Sequence, residues 1–183
     1  NFALSEYALD VRNPFVGVYH DRSAGVLTRK PIPIEIIRKV QSRCRSIDDD
    51  LRWLIAMISD TGMRLAEVAG LLKSDIILDS DIPYISLKPH PWRPLKTVSS
   101  QRDIPLVGAS LWSAHRLSGA FPDSPYAFPR YNRKDITSSN SASAALNKWL
   151  SSRLQGADHV VLHSFRHSLR DRLRAVECPP DII

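Results

Sequence analysis

The stretch His163-Ser164-Phe165-Arg166-His167 decides how the chain is read, because it sets an imidazole three residues ahead of an arginine at what the pattern marks as a helix start. Downstream, Phe165, Leu169, Leu173 and Val176 recur at steps of four, four and three. That is one stripe of a roughly 3.6-residue period, so the segment is expected to be a helix with Ser164 as its N-cap and this stripe buried. Arg166 and Arg170 fall on a neighbouring stripe. Unpaired backbone N–H groups, the positive end of the helix dipole and a bidentate guanidinium together make a phosphate site, with His163 beside it to give or take a proton. The other reading of the same stretch is a helix whose charged residues are merely solvated.

A chain of 183 residues, 43% of them apolar, can bury a core and fits one domain. No run approaches the roughly 18 apolar residues of a membrane span, and no signal-peptide pattern opens the chain, so a cytoplasmic protein is expected. The formal net charge of +6 favours an anionic partner. Nucleic acid comes ahead of a membrane surface, because no basic amphipathic anchor is present. Cys44 and Cys178 lie far apart, without metal-binding spacing, and are expected to be reduced core thiols.

Residues 1–27 lack sustained periodicity and contain the turn signal Asn13-Pro14, so they are expected to be a tail or linker from a preceding domain absent from this chain. Ile34, Ile37, Val40 and Cys44 then form a helical stripe, and the acids Asp48-Asp49-Asp50 mark the start of a second helix that stops at Gly62. Leu65, Val68, Ala69 and Leu72 predict a third helix, opened by Arg64, with Glu67 within reach of the Arg64 side chain. Taken alone, that pair is a surface ion pair worth about 0.3–0.5 kcal/mol. Between residues 82 and 106 the apolar spacing switches to short β-prone runs, predicting a small antiparallel sheet with Lys96 on its second hairpin strand. The stretch Pro89-His90-Pro91-Trp92-Arg93-Pro94 is too rich in proline for a central strand and is expected to protrude. Helices follow at 109–118 and, with Ser138 to Ser141 as cap, over a stripe running from Ala142 to Leu154 and ended by Gly156. No glycine-rich phosphate loop and no G-x-S-x-G elbow is present, which leaves nucleotide hydrolysis and serine esterase chemistry without support.

Arg64 after a helix corner, Lys96 on a hairpin, and His163 with Arg166 at a helix start are weak signals singly. Jointly, and in this order, the strings Thr61-Gly62-Met63-Arg64-Leu65-Ala66-Glu67, Leu95-Lys96-Thr97 with Ser100-Gln101-Arg102-Asp103-Ile104-Pro105-Leu106, and His163-Ser164-Phe165-Arg166-His167 resemble the catalytic domain of tyrosine recombinases, the phage integrase family. The resemblance covers residues 28–183 and implies a mixed α/β, mostly helical domain with a small antiparallel sheet. It implies that Arg64 and Arg166 grip the scissile phosphate, that Lys96 protonates the leaving 5′ oxygen, and that His163 assists proton transfer. Glu67 matches a supporting acidic position, and His167 is expected to serve as a structural hydrogen-bonder.

The implied function is site-specific recombination of double-stranded DNA through a 3′-phosphotyrosyl intermediate, with other recombinase protomers on paired sites and no cofactor or metal. Family members carry a second His or Trp and then the nucleophilic tyrosine downstream of the H-x-x-R helix. Here all five tyrosines, Tyr7, Tyr19, Tyr84, Tyr126 and Tyr131, precede it. The nucleophile is therefore expected outside this chain, beyond Ile183, and the chain alone is expected to be inactive. Three other readings stand beside this one. Type IB topoisomerases share the chemistry in outline, and a DNA-binding module without chemistry accounts for the charge as well. His159, His163 and His167, at steps of four, could instead hold zinc, but Val160-Val161-Leu162 is apolar and β-branched and no acidic residue lies between the histidines.

Overall fold

A computed structural model of the chain describes residues 31–97, 100–133, 136–153 and 160–180. The tail expected over residues 1–27 lies outside them, as do His159 and the predicted helix stop at Gly156. Among the described residues the helices are α1 (Ile34–Ile47), α2 (Asp50–Thr61), α3 (Leu65–Ala69), α4 (Gly108–Gly119), α5 (Ser139–Arg153) and α6 (Ser164–Ala175). The strands are β1 (Ile76–Ile77), β2 (Tyr84–Leu87), β3 (Arg102–Pro105), β4 (Asn132–Arg133) and β5 (Ile136–Thr137). The architecture is the mixed, mostly helical one expected.

α1 buries Ile37, Val40 and Cys44 on one stripe and ends at Asp48, whose left-handed φ of 53° lets its N–H close on the Cys44 carbonyl at 2.9 Å. Asp49 then caps α2, its carboxylate accepting from the Arg52 N–H at 3.0 Å. From Leu54 to Thr61 every residue of α2 is buried, so this helix is the axis of the domain, packed against α1, α4 and α6. It ends at Gly62, which has a φ of 60°. A Cβ there would stand 2.8 Å from Leu169 Cδ2 on α6, so glycine both makes the turn and lets the two helices approach.

The sheet has the antiparallel order β1-β2-β3, with Ile76 opposite Ile85 and Ile85 opposite Ile104. Lys96 is not on a strand of it. Both edges of β2 are taken, by β1 and by β3, and Lys96 lies in the connection between β2 and β3. The chain could not have paired continuously there in any case, because Pro89, Pro91 and Pro94 each lack the N–H that a ladder needs. Nor does the proline-rich stretch protrude. Trp92 donates its indole N–H to the Gly70 carbonyl at 3.2 Å, the His90 ring stacks on Trp92 at 4.6 Å, and Arg93 is only 2% exposed.

The third helix is shorter than its stripe: it stops at Ala69, and Leu72 bridges to Tyr126. In α6, Phe165 is buried as expected, but Val176 follows the helix end and is 73% exposed. Ser164 is the first helical residue rather than the cap, which is His163. The Ser164 hydroxyl accepts from the Val161 N–H at 3.3 Å, and its carbonyl takes the Ser168 hydroxyl, which itself accepts from the Ile32 N–H at 2.7 Å. Cys44 is a core thiol, its pKa pushed up to about 12 chiefly by burial. Cys178 is not, since it is partly exposed. No helix among the described residues is long and apolar enough to cross a membrane.

Candidate active site

Gly62 turns the chain from α2 into α3, and Arg64 stands at the start of α3 on extended backbone. Glu67 folds back on it. Its Oε2 accepts from the Arg64 N–H at 2.9 Å and its Oε1 from the Arg64 guanidinium at 2.6 Å. This is not a solvated surface bridge, because Glu67 is 4% exposed and a second guanidinium, Arg102 of β3, reaches Oε2 at 3.2 Å. Burial alone would raise the carboxyl pKa. The hydrogen bonds from Arg64 and the charges of Arg102 and Arg64 outweigh it and hold Glu67 below its ordinary value, ionised.

Arg166 comes to the same place from the far end of the chain. In the first turn of α6 it donates to the Gly62 carbonyl at 2.7 Å, so the corner that starts α3 also anchors the second arginine of the resemblance. Its pKa is lowered by burial first and then by the positive charge of Arg64, with Glu67 opposing and Arg102 and Arg170 adding to the depression. Arg64 and Arg102 thus pair with one carboxylate, and Arg166 adds a third positive charge beside them, leaving two in excess. An anion with several oxygens is what such a cluster fits.

His163 is exposed at the N-cap of α6, its ring edge-on to His167 at 5.1 Å. With Met63, Leu65 and Asn147 it lines a cavity of about 310 Å3 beside the start of α3. Its turn is pinned to α5 by the Leu162 N–H, which donates to Asn147 Oδ1 at 2.8 Å. Among the described residues, the contact recorded for His167 is this ring contact. Lys96 is exposed, and among the described residues no ion pair or hydrogen bond joins it to the arginines. The structure therefore brings Arg64, Glu67 and Arg166 together, sets His163 next to them, and leaves Lys96 on the neighbouring connection.

The Phage integrase family matches this sequence over residues 34–183. The chain belongs to the phage integrase family. Solved structures agree on the fold. A Tn1549 transposon integrase in complex with circular intermediate DNA is similar over 87% of this chain and 57% of its own, at 16% identity and a TM-score of 0.61. The same integrase in complex with transposon right end DNA is similar over 94% and 60%, at 18% identity and a TM-score of 0.62. The XerA recombinase is similar over 96% and 58%, at 15% identity and a TM-score of 0.59. This integrase-family chain thus spans 57–60% of the length of those three structures. No curated protein matches it.

Two further arginines of this integrase-family domain were invisible to residue-by-residue reading. Arg102 lies inside the matched string Ser100-Gln101-Arg102-Asp103, but nothing in its spacing links it to Glu67. Arg93 sits in the stretch expected to protrude, yet donates to the carbonyls of Glu67 at 3.2 Å and Lys88 at 2.9 Å and to Asp75 at 3.3 Å. The only signal for it was an arginine among prolines. Of the described tyrosines, Tyr131 is 4% exposed, and burial, reinforced by Asp50, raises its pKa. Tyr126 packs edge-on against Trp92, and Tyr84 is in β2. None of the three is offered to the arginine cluster.

Proposed function

We propose that this integrase-family chain is the catalytic unit of a tyrosine site-specific recombinase acting on double-stranded DNA, with residues 28–183 forming that unit and residues 1–27 leading from a separate DNA-binding domain. The observation that carries the proposal is the convergence of Arg64 and Arg166 on one corner, with His163 beside them. The two forks would grip the non-bridging oxygens of a phosphodiester and neutralise charge as the phosphorus becomes five-coordinate. His163 would move a proton at the attacking oxygen, and Lys96, carried on its connection to the bound phosphate, would protonate the leaving 5′ oxygen. The charge stabilisation comes from guanidinium groups, so these residues need no metal or cofactor to act. The attacking group is a tyrosine other than the three described, and the product is a 3′-phosphotyrosyl link. Among the similar folds, the Tn1549 transposon integrase in complex with transposon right end DNA supports a DNA substrate. The same proposal takes further protomers on paired sites as partners and the cytoplasmic nucleoid as the place of action.

The test offers a nicked suicide duplex carrying the cognate site to this chain and to a version extended along its natural reading frame. The expected result is a denaturant-resistant protein–DNA adduct with the extended chain alone. An adduct with the 183-residue chain would mean that one of its own tyrosines attacks. Adduct with neither, alongside tight specific binding, would make the domain a non-catalytic DNA binder.

A further inference from the structure

Glu67 holds more than the phosphate clamp. Its carboxylate takes Arg64 and, through Oε2, Arg102, while its backbone carbonyl takes Arg93. Arg93, on the connection between β2 and β3, and Arg102, the first residue of β3, stand on either side of Lys96. On the upstream side, Arg93 ties the end of β2, through the Lys88 carbonyl, to Glu67 and Asp75. Asp75 in turn accepts from the Leu72 N–H at 3.0 Å and faces His90 Nε2 at 3.2 Å, so that anchor is itself braced. On the downstream side, the Arg102 fork donates one nitrogen to Glu67 at 3.2 Å and the other to the Ser100 carbonyl at 2.7 Å. Ser100 bonds back to Thr97, N–H to carbonyl at 3.0 Å and hydroxyl to hydroxyl at 2.9 Å.

We propose that Arg93 and Arg102 are positioning residues that register the Lys96 connection on Glu67, so that one buried carboxylate residue sets both the phosphate-gripping Arg64 and the proton donor. The inference rests on the recombinase reading of Lys96. An exposed lysine on a long connection samples many positions, and a proton donor misplaced by about 1 Å can cost about 10²-fold in rate. Two tethers that end on the residue already holding Arg64 remove that freedom relative to the substrate. Both terminal nitrogens of Arg102 are engaged by protein oxygens, which marks it as a positioner of Lys96 rather than a substrate contact.

In the cleavage step, the tyrosine oxygen forms a bond to phosphorus and loses its proton to the His163 imidazole, while the bond from phosphorus to the 5′ oxygen breaks and that oxygen takes a proton from the Lys96 ammonium. Sulfur in place of the bridging 5′ oxygen leaves as a thiolate and needs no proton. The experiment therefore measures strand cleavage by the full-length protein on ordinary duplex and on duplex with a 5′-bridging sulfur, for wild type, Lys96→Ala, Arg102→Met, Arg102→Lys and Arg93→Met. Arg102→Met should cleave ordinary DNA about 10²-fold more slowly and the sulfur substrate at close to the wild-type rate, as Lys96→Ala does. Arg102→Lys keeps the charge at Glu67 but loses the fork, and should recover only part of the rate on ordinary DNA. Because Arg93 is 2% exposed, its variant can fail to fold, and Arg102→Met then carries the test alone. If Lys96→Ala is rescued by sulfur while Arg102→Met stays slow on both substrates, the positioning role is wrong and the recombinase reading survives. Full activity of Arg102→Lys on ordinary DNA would overturn the two-ended tether. No sulfur rescue of Lys96→Ala would overturn the donor role itself, and the inference with it.

Discussion

Glu67 is the residue on which most depends, and its chemistry gives a pH dependence with a definite sign. Its pKa in the folded chain lies below the ordinary 4.5, so its contribution to stability is complete above about pH 4.5 and is lost as pH falls through the depressed value. Glu67→Gln removes the charge that pairs with two guanidiniums, those of Arg64 and Arg102, and should cost on the order of 1–2 kcal/mol near neutral pH, a figure moderated by solvent at the partly exposed arginines. Denaturant unfolding near pH 7 and again near pH 3.5 checks this, because the gap between wild type and variant should narrow on acidification. A gap that stays constant would mean that the carboxylate is not the ionised hub. The two thiols make a second contrast at this scale. Cys178, partly exposed, should react with a thiol reagent in the native protein, whereas Cys44, fully buried with its pKa pushed up to about 12, should react only on unfolding.

Between elements, the α2–α3 corner matters most. Gly62 ends α2, gives its carbonyl to Arg166 and lies against Leu169 of α6, so one peptide sets the distance between both arginine-bearing helices. Gly62→Ala faces a left-handed φ and a contact at 2.8 Å, and should destabilise by about 2 kcal/mol or more. Adding Leu169→Ala removes the neighbour but not the backbone strain, and opens space of its own. Thermal unfolding of the single and double variants should therefore show non-additivity, with the double variant less destabilised than the two single losses combined. Strict additivity would mean that the glycine is needed for its φ alone.

Over the whole chain, the net charge of +6 and the pairing of Arg64 with Arg166 at one corner predict duplex binding governed by phosphate contacts. Binding of this chain to DNA, followed by fluorescence anisotropy across a salt series, should weaken steeply with salt. Arg166→Gln should reduce the slope of log affinity against log salt by about one while weakening all sequences alike. An unchanged slope would place Arg166 away from the phosphate.

What the sequence determined by itself was whatever is local. The helical stripes of α1, α2 and α5, the acidic start of α2, the glycine stop at Gly62 and the order of the Arg64, Lys96 and His163-Arg166 strings all follow from spacing along a few turns of chain, because a helix hydrogen-bonds to itself. The same locality made the Arg64–Glu67 contact readable across three residues. Tertiary structure decided everything that needs a distant partner. Lys96 left the sheet because β1 and β3 had already taken both edges of β2, and a strand cannot show from its own residues which edges are free. Arg93 turned inward because oxygens of Glu67, Asp75 and Lys88 stood ready to receive it, and Val176 turned outward because α6 ended before reaching it. A modest i,i+3 ion pair became a buried hub only when β3 brought Arg102 to the same carboxylate and α6 set the charge of Arg166 beside it. Charges separated by tens of residues interact through space, and only the fold sets that distance.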